Sequence, residues 1–88
     1  MEISVQTHAS VTITNGTANS VDLLHWLLKE EFVSILGDTT NNYFTWTDTT
    51  VLQKGQSGTY SSAELGFSLD LLPKISLYDS SRVLIATN

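Results

Sequence analysis

Residues 20–36, SVDLLHWLLKEEFVSIL, are the stretch on which the prediction of the fold depends. Its apolar residues recur at intervals of three and four, which is typical of one face of an α-helix. These residues are Val21, Leu24, Leu28, Phe32 and Ile35. Asn19 or Ser20 would cap the N-terminus of the helix, and Gly37 would end it. The pattern therefore predicts an amphipathic helix over residues 20–36.

The predicted helix is apolar on more than one side. Leu23 and Leu27 lie on one flank of the main stripe, and Trp26 and Val33 lie on another. A helix with this distribution usually has more than one partner, and a large tryptophan away from the main stripe is typical of an interface anchor. We therefore predict that Trp26, Val33, Leu23 and Leu27 take part in an interface.

Alternating apolar and polar residues predict strands on both sides of the helix. The first is a single long strand over residues 3–14, where the unbroken parity favours continuity over a break near His8. Further strands are predicted over residues 43–52, 63–72, 75–78 and 82–87, with Pro73 ending the third of these five. Residues 37–42 and 53–62 have the composition of loops. The predicted fold class is α+β: a single domain over residues 1–88 with a mainly antiparallel four- to five-stranded sheet. One amphipathic helix would pack on one face of it, in the order β-α-β-β-β-β.

The segment YFTWTDTTVL, residues 43–52, places two aromatic rings opposite a row of threonines. Phe44 and Trp46 share one parity, as a pair of core-facing residues would. Thr45, Thr47 and Thr49 fill the other parity, where most soluble proteins place charged side chains. The threonine row is therefore predicted to be a contact surface or to lie next to one.

The composition limits the classes of partner. Charged residues make up 15% of the chain, against about 25% in an average domain, and 11 serines and 12 threonines fill the gap. A net charge of −5 argues against nucleic acid and anionic membranes as partners. The N-terminal segment has neither a basic region nor an apolar core typical of a signal peptide, so we expect the protein in the cytoplasm when it is synthesised.

No motif in the sequence predicts a reactive site. His25 lies at the edge of the apolar stripe and is interpreted as a residue of the core boundary, and neither it nor His8 belongs to a zinc-binding pattern. Glu30 and Glu31 would point about 100° apart on a helix, so they cannot share a site, and Glu30 is expected in solvent. We predict no catalytic residue, no metal ligand and no cofactor, and therefore no enzyme.

The loops hold three weak patterns. Asp38 in GDTTNN lacks the further acidic residues of a calcium loop, and KGQSGTY, residues 54–60, lacks the strand-to-helix context of a phosphate loop. Asn15-Gly16-Thr17 matches the glycosylation pattern but is interpreted as a turn. None of these patterns predicts a ligand.

Two functions fit these observations. The first is a non-enzymatic structural or assembly subunit that forms a homo-oligomer, with a virus or phage particle as its suggested setting. The alternative is a small acidic inhibitor of the immunity-protein type, to whose helices the segment SVDLLHWLLKEEF bears a local resemblance. It would use Trp26 and the acidic helix face to bind a basic protein. In both cases the partner is protein, either a second copy or another chain.

Overall fold

The computed structural model describes residues 3–7, 10–67, 69 and 74–88. These residues are mostly in β-strands, and they contain no helix of seven or more residues. The elements in chain order are β1 (Ile3–Thr7), β2 (Ser10–Asn15), β3 (Val21–Asp22), β4 (Leu27–Val33), β5 (Thr39–Thr45), β6 (Val51–Leu52), β7 (Ser57–Ser61), α1 (Ser62–Leu65), β8 (Lys74–Tyr78) and β9 (Leu84–Thr87).

The described strands pair in three antiparallel sheets. Sheet A has the strand order β1-β2-β7, sheet B pairs β3 with β6, and sheet C has the order β5-β4-β8-β9. Strand β1, at one edge of sheet A, lies beside β8 and β9 of sheet C, so the two larger sheets share a hydrophobic core. The fully buried apolar residues are Val11, Ile13, Leu23, Leu28, Ile75 and Leu77.

The predicted α+β fold, with one amphipathic helix packed on a sheet of four to five strands, is wrong. Residues 20–36 form strand β3, a tight turn, strand β4 and the start of a hairpin turn. Val21 and Asp22 pair with the two residues of β6. Strand β4 is an interior strand of sheet C, hydrogen-bonded to β5 on one side and β8 on the other.

Strand β4 resembles a helix in sequence because it carries buried or half-buried residues on both faces. Leu28 and Glu30 are buried on one parity, and Leu27 and Lys29 are half-buried on the other. A strand that meets protein on both faces does not alternate cleanly between apolar and polar residues. Periodicity alone cannot distinguish such a run from a segment of buried helix.

A turn at Leu23–Trp26 interrupts the path that the predicted helix would take. His25 has a φ of 68°, in the left-handed region, and the Trp26 N–H donates a hydrogen bond of 2.8 Å to the Leu23 carbonyl. The Asp22 carboxylate accepts from the N–H groups of Leu24 and Thr50, each at 3.0 Å. Asp22 therefore ties this turn to the segment before β6.

The single long strand predicted over residues 3–14 is instead two strands, β1 and β2, paired with each other. The predicted alternation is confirmed, since Ile3, Val5, Val11 and Ile13 are all buried. The antiparallel register places Val5 opposite Ile13, so odd residues pair with odd residues. Because folding back in this register keeps the apolar parity on one face, the alternation does not reveal the break between the strands. Residues 8 and 9 lie outside the described ranges.

The strand predicted over residues 63–72 begins instead as the short helix α1. Ser61 caps it, because its hydroxyl accepts from the Glu64 N–H while the Glu64 carboxylate accepts from the Ser61 N–H. Gly66 ends it at a φ of 83°. The later part of the predicted strand lies outside the described residues except for Leu69, and so does Pro73, which was predicted to end the strand.

Both predicted loops contain strands, β5 within residues 37–45 and β7 within residues 53–61. The predicted strand over residues 43–52 is likewise wrong in its middle, since Trp46 to Thr50 belong to no strand. The C-terminal hairpin is confirmed: β8 and β9 pair in antiparallel orientation. The Asp79 N–H donates to the Val83 carbonyl at 3.0 Å and closes the turn between them.

Aromatic rings join the strand pairs at the centre of the core. The Trp46 ring packs edge-on against Phe44 at 5.0 Å and against Tyr60 at 5.4 Å between centroids. Trp46 is buried, and Phe44 packs partly buried against the same core. The prediction that Phe44 and Trp46 face the core is therefore confirmed, although no helix of the described part of the chain covers them.

Candidate functional site

Three of the seven residues predicted to form an interface are buried or half-buried, and a fourth, Thr45, lies opposite one of them. Leu23 is buried in the core, and Trp26 is half-buried against it. Leu27 is half-buried in β4, where its cross-strand partner is the exposed Thr45 of β5. Of these four residues, only Thr45 is exposed to solvent.

The other three predicted interface residues are exposed but lie apart. Val33 is 57% exposed at the end of β4. Thr47 and Thr49 are exposed in the segment that follows β5. The structure thus does not join the predicted helix flanks and the threonine row into one surface, but it places Val33 and Thr45 at opposite ends of one hairpin.

Within the described ranges, that hairpin extends beyond its neighbour β8 in sheet C. The described residues of β8 pair with β4 along Leu27–Glu31, whereas β5 pairs with β4 as far as Val33 and Thr39. Residues 32–40, which we call the arm, therefore consist of two strands and their turn, with no third strand among the described residues. A two-stranded ribbon buries little apolar surface by itself.

The turn of the arm carries two apolar side chains in solvent. Ile35 is 100% exposed and Leu36 is 85% exposed. The Ser34 N–H donates to the Asp38 carbonyl at 2.7 Å, and the Ser34 hydroxyl accepts from the N–H groups of Leu36 and Asp38 at 3.2 and 3.1 Å. Gly37 supplies the left-handed φ of 89° that the turn requires. The hydrogen bonds thus hold the turn in one shape with both apolar side chains directed outward.

Strand β5 is an open edge of sheet C. It has seven residues, TTNNYFT, and contains neither a charged residue nor a proline. Among the described strands it pairs with β4 alone. The remaining edges of sheets A and C have close neighbours: β1 and β9 lie side by side, and β7 continues into α1 with Leu52 near its Gly58.

The hydrogen bonds at the two ends of the hairpin show which backbone groups of β5 are free. Trp46 N–H donates to the Trp26 carbonyl at 3.2 Å, and the bond from Ser34 to Asp38 closes the other end. Since bonded pairs alternate in an antiparallel ladder, the even residues of β5 bond to β4. The odd residues, Thr39, Asn41, Tyr43 and Thr45, therefore direct their N–H and carbonyl groups toward the open edge.

Asn42 links this edge to a buried acid. Its side-chain amide donates to the Glu30 carboxylate at 3.0 Å, and Glu30 is only 3% exposed. The prediction that Glu30 lies in solvent is therefore wrong: as a residue of an interior strand it points to the covered face. Glu31, its neighbour, projects to the opposite face, so the two carboxylates do not converge.

His25, the histidine that the structure describes, does not lie in a reactive cluster. The His25 side chain is exposed at the tight turn, not at the boundary of the core as predicted, and His8 lies outside the described residues. Arg82 reaches His25, but its guanidinium donates to the backbone carbonyl at 2.8 Å. In the described part of the chain, no group of three or more His, Asp or Glu side chains could hold a metal ion.

A shallow hollow of about 380 Å³ opens between β1 and β9. Its lining residues are Ile3, Ser4, Leu84, Ile85, Ala86 and Thr87. None of these side chains is ionisable, and Ser4 and Thr87 are the hydroxyl-bearing ones. The hollow therefore provides no acid, base or charged group for catalysis.

Sequence reasoning missed Ile35 and Leu36, the two most exposed apolar residues of the arm. Ile35 belonged to the stripe expected to pack on a sheet. A signal was present in the Gly37-Asp38 pair that follows them, because glycine and aspartate favour hairpin turns as well as helix ends. Because residues 20–36 were predicted as a helix, Gly37 was interpreted as the end of that helix and not as part of a hairpin turn.

No protein-family model and no curated protein matches the chain. No helix in the described ranges is long and apolar enough to cross a membrane. The α+β class was predicted from the helix and is wrong together with it, and neither the fold nor the comparisons support a virus or phage setting. The features of the described structure that indicate a function are the arm and the edge of sheet C.

Proposed function

We propose that this protein is a non-enzymatic assembly subunit that associates with further copies of itself through the β4–β5 hairpin. The observation that carries the proposal is the exposure of Ile35 and Leu36 at the end of the arm. Leaving a large aliphatic side chain in water instead of burying it forgoes roughly 1.5–3 kcal/mol. Val33 adds a third exposed apolar side chain to the same end of the hairpin.

The rigidity of the turn supports a binding role for these side chains. Four hydrogen bonds of Ser34, the three described above and one that its carbonyl accepts from the Gly37 N–H at 2.9 Å, hold the turn in the arrangement that presents Ile35 and Leu36. A preorganised apolar group loses little conformational entropy when a partner covers it. Exposed apolar patches of this kind mark sites of protein interaction.

A second candidate is an acidic inhibitor of a basic protein. The observation that favours it is Asp38, which is exposed in the same turn as Leu36, together with the net charge of −5. An apolar contact beside a carboxylate suits a basic cleft whose positive charge would steer association. Such a protein works as a monomer until it meets its target, which separates it from the assembly subunit.

Light scattering over a range of micromolar concentrations tests the proposal. We expect a mass above the 9.7 kDa of one chain and a shift toward the monomer when Ile35 and Leu36 are both replaced by serine. Val83→Ser is the matched control, because Val83 is 56% exposed in the turn between β8 and β9, outside the hairpin. A 9.7 kDa monomer at every concentration would reject the assembly subunit in favour of the inhibitor.

A further inference from the structure

The open edge of sheet C is suited to pairing with another strand. The outward backbone groups of Thr39, Asn41, Tyr43 and Thr45 lack partners within the described hairpin, since the bonds of β5 to β4 use the even residues. A long, regular edge without charges, proline or a bulge is the kind that accepts a further strand. The register of β5 with β4 runs without interruption over all seven residues.

We infer that β5 pairs in antiparallel orientation with β5 of a second copy, about a two-fold axis at Asn42, so that sheet C continues across both chains. The inference rests on the proposed self-association and specifies the surface and the register. The partner is a second copy because the β5 edge is complementary to itself in hydrogen bonding, in charge and in side-chain pairing.

The backbone parity and the length of β5 select the register. A symmetric antiparallel pair can exchange hydrogen bonds only between outward-facing residues of the two copies. An axis at Asn42, the midpoint of Thr39–Thr45, places Thr39 opposite Thr45 and Asn41 opposite Tyr43. It engages the whole strand and yields about eight backbone hydrogen bonds. An axis at Asn41 would leave the Thr45 end unpaired.

The charge distribution favours pairing at this strand. Each copy has a net charge of −5, so two copies repel each other, and like charges opposite each other on adjacent strands destabilise a sheet. None of the cross-strand pairs formed by β5 with itself includes a charged side chain. Thr40 meets Phe44, a pairing of a β-branched residue with an aromatic ring that stabilises sheets.

The same symmetry gives the arm a place to bind. Because the two β5 strands run in opposite directions, the turn of each copy extends past Thr45 of the partner subunit. It then lies along the segment that follows β5 in that copy. The exposed Ile35 and Leu36 would be covered there, close to the threonine row. One interface therefore uses both the open edge and the apolar turn.

Disulfide cross-linking between engineered cysteines tests the register, because the chain contains no cysteine of its own. Thr39 and Thr45 are both exposed, so Thr39→Cys and Thr45→Cys should fold. In the inferred register residue 39 of one copy faces residue 45 of the other, at a Cα separation of about 5.5 Å, within disulfide range. Residue 39 lies roughly 20 Å from its own symmetry copy.

We expect an oxidised mixture of the two variants to yield a covalent dimer and each variant alone to yield none. Both variants must also show the mass of the parent protein by light scattering. Parent protein that assembles while the mixture fails to cross-link would overturn the edge pairing and leave self-association standing. Cross-linking of Thr39→Cys with Tyr43→Cys instead would overturn the axis at Asn42. A parent protein that stays monomeric would reject both the function and the pairing.

Discussion

Asn15 is a buried polar side chain whose hydrogen bonds hold three parts of the chain together. Its amide donates to the carbonyls of Asn19 and Leu52, each at 2.8 Å. Its side-chain oxygen accepts from the N–H and hydroxyl of Thr17, at 3.0 and 2.6 Å. The side-chain amide of Asn15 is therefore fully used in hydrogen bonds within the protein. Residues 15–17, which match the glycosylation pattern, form a bend that these bonds hold.

We expect Asn15→Ala to lower the free energy of unfolding by about 2–4 kcal/mol, because it removes the partner of the buried Leu52 carbonyl and of the part-buried Thr17 N–H. Urea denaturation monitored by tryptophan fluorescence measures the loss. Asn19→Ala is the matched control, since Asn19 contributes its backbone carbonyl and its side chain is exposed. Equal losses in both variants would contradict the role assigned to the Asn15 amide.

At the scale of elements, β5 presents two different sets of backbone groups on alternate residues. The N–H of Asn42 points to β4, where Glu30 is its cross-strand partner, and the N–H of Asn41 points to the open edge. Proline has no N–H to donate. At position 41 it therefore removes a donor from the open edge, and at position 42 it removes a donor to β4.

We therefore expect Asn41→Pro to weaken self-association by about tenfold or more while the protein stays folded, since edge strands tolerate proline at outward positions. Asn42→Pro should cost about 3 kcal/mol or more of stability, because it removes a bond inside the hairpin. Thermal unfolding and sedimentation velocity report the two effects. Equal stability of the two variants would show that the parity assigned to β5 is wrong.

At the same scale, the elements that the sequence predicts differ from those that it does not in how far away their partners lie along the chain. The apolar parity of residues 3–14 and the C-terminal hairpin follow from alternation and turn residues that are close in sequence, whereas the break between β1 and β2 does not. Strand β4 does not, because its neighbours β5 and β8 lie on either side of it in space and one of them is more than forty residues away. Of the candidate site, Val33 and Thr45 were accessible to sequence reasoning, whereas Ile35 and Leu36 were hidden by the misassigned helix.

At the scale of the whole molecule, net charge separates the two proposed functions. Two copies with a net charge of −5 repel each other, whereas an acidic inhibitor attracts its basic target. Salt screens both effects, since the Debye length falls from about 10 Å at 0.1 M to about 3 Å at 1 M. The sign of the salt dependence therefore identifies which kind of interface the protein uses.

We expect the dissociation constant of the self-assembled protein to fall several-fold when sodium chloride is raised from about 0.05 to about 0.5 M, as screening removes the repulsion between like-charged copies. Sedimentation equilibrium at a series of salt concentrations measures it. An association that weakens with salt would indicate opposite charges across the interface, and the uncharged β5 edge could not be its centre.

The sequence by itself determined the apolar parity of the first two strands, the core position of Phe44 and Trp46, the C-terminal hairpin and a surface poor in charge. These properties depend on residues close together along the chain. Only the tertiary structure decided that residues 20–36 are strands, that Glu30 is buried against Asn42, and that β5 is left as an open edge beside an apolar turn. The physical reason is that a strand is stabilised by hydrogen bonds to other strands, so its local pattern is incomplete until β5 and β8 are in place on either side of β4.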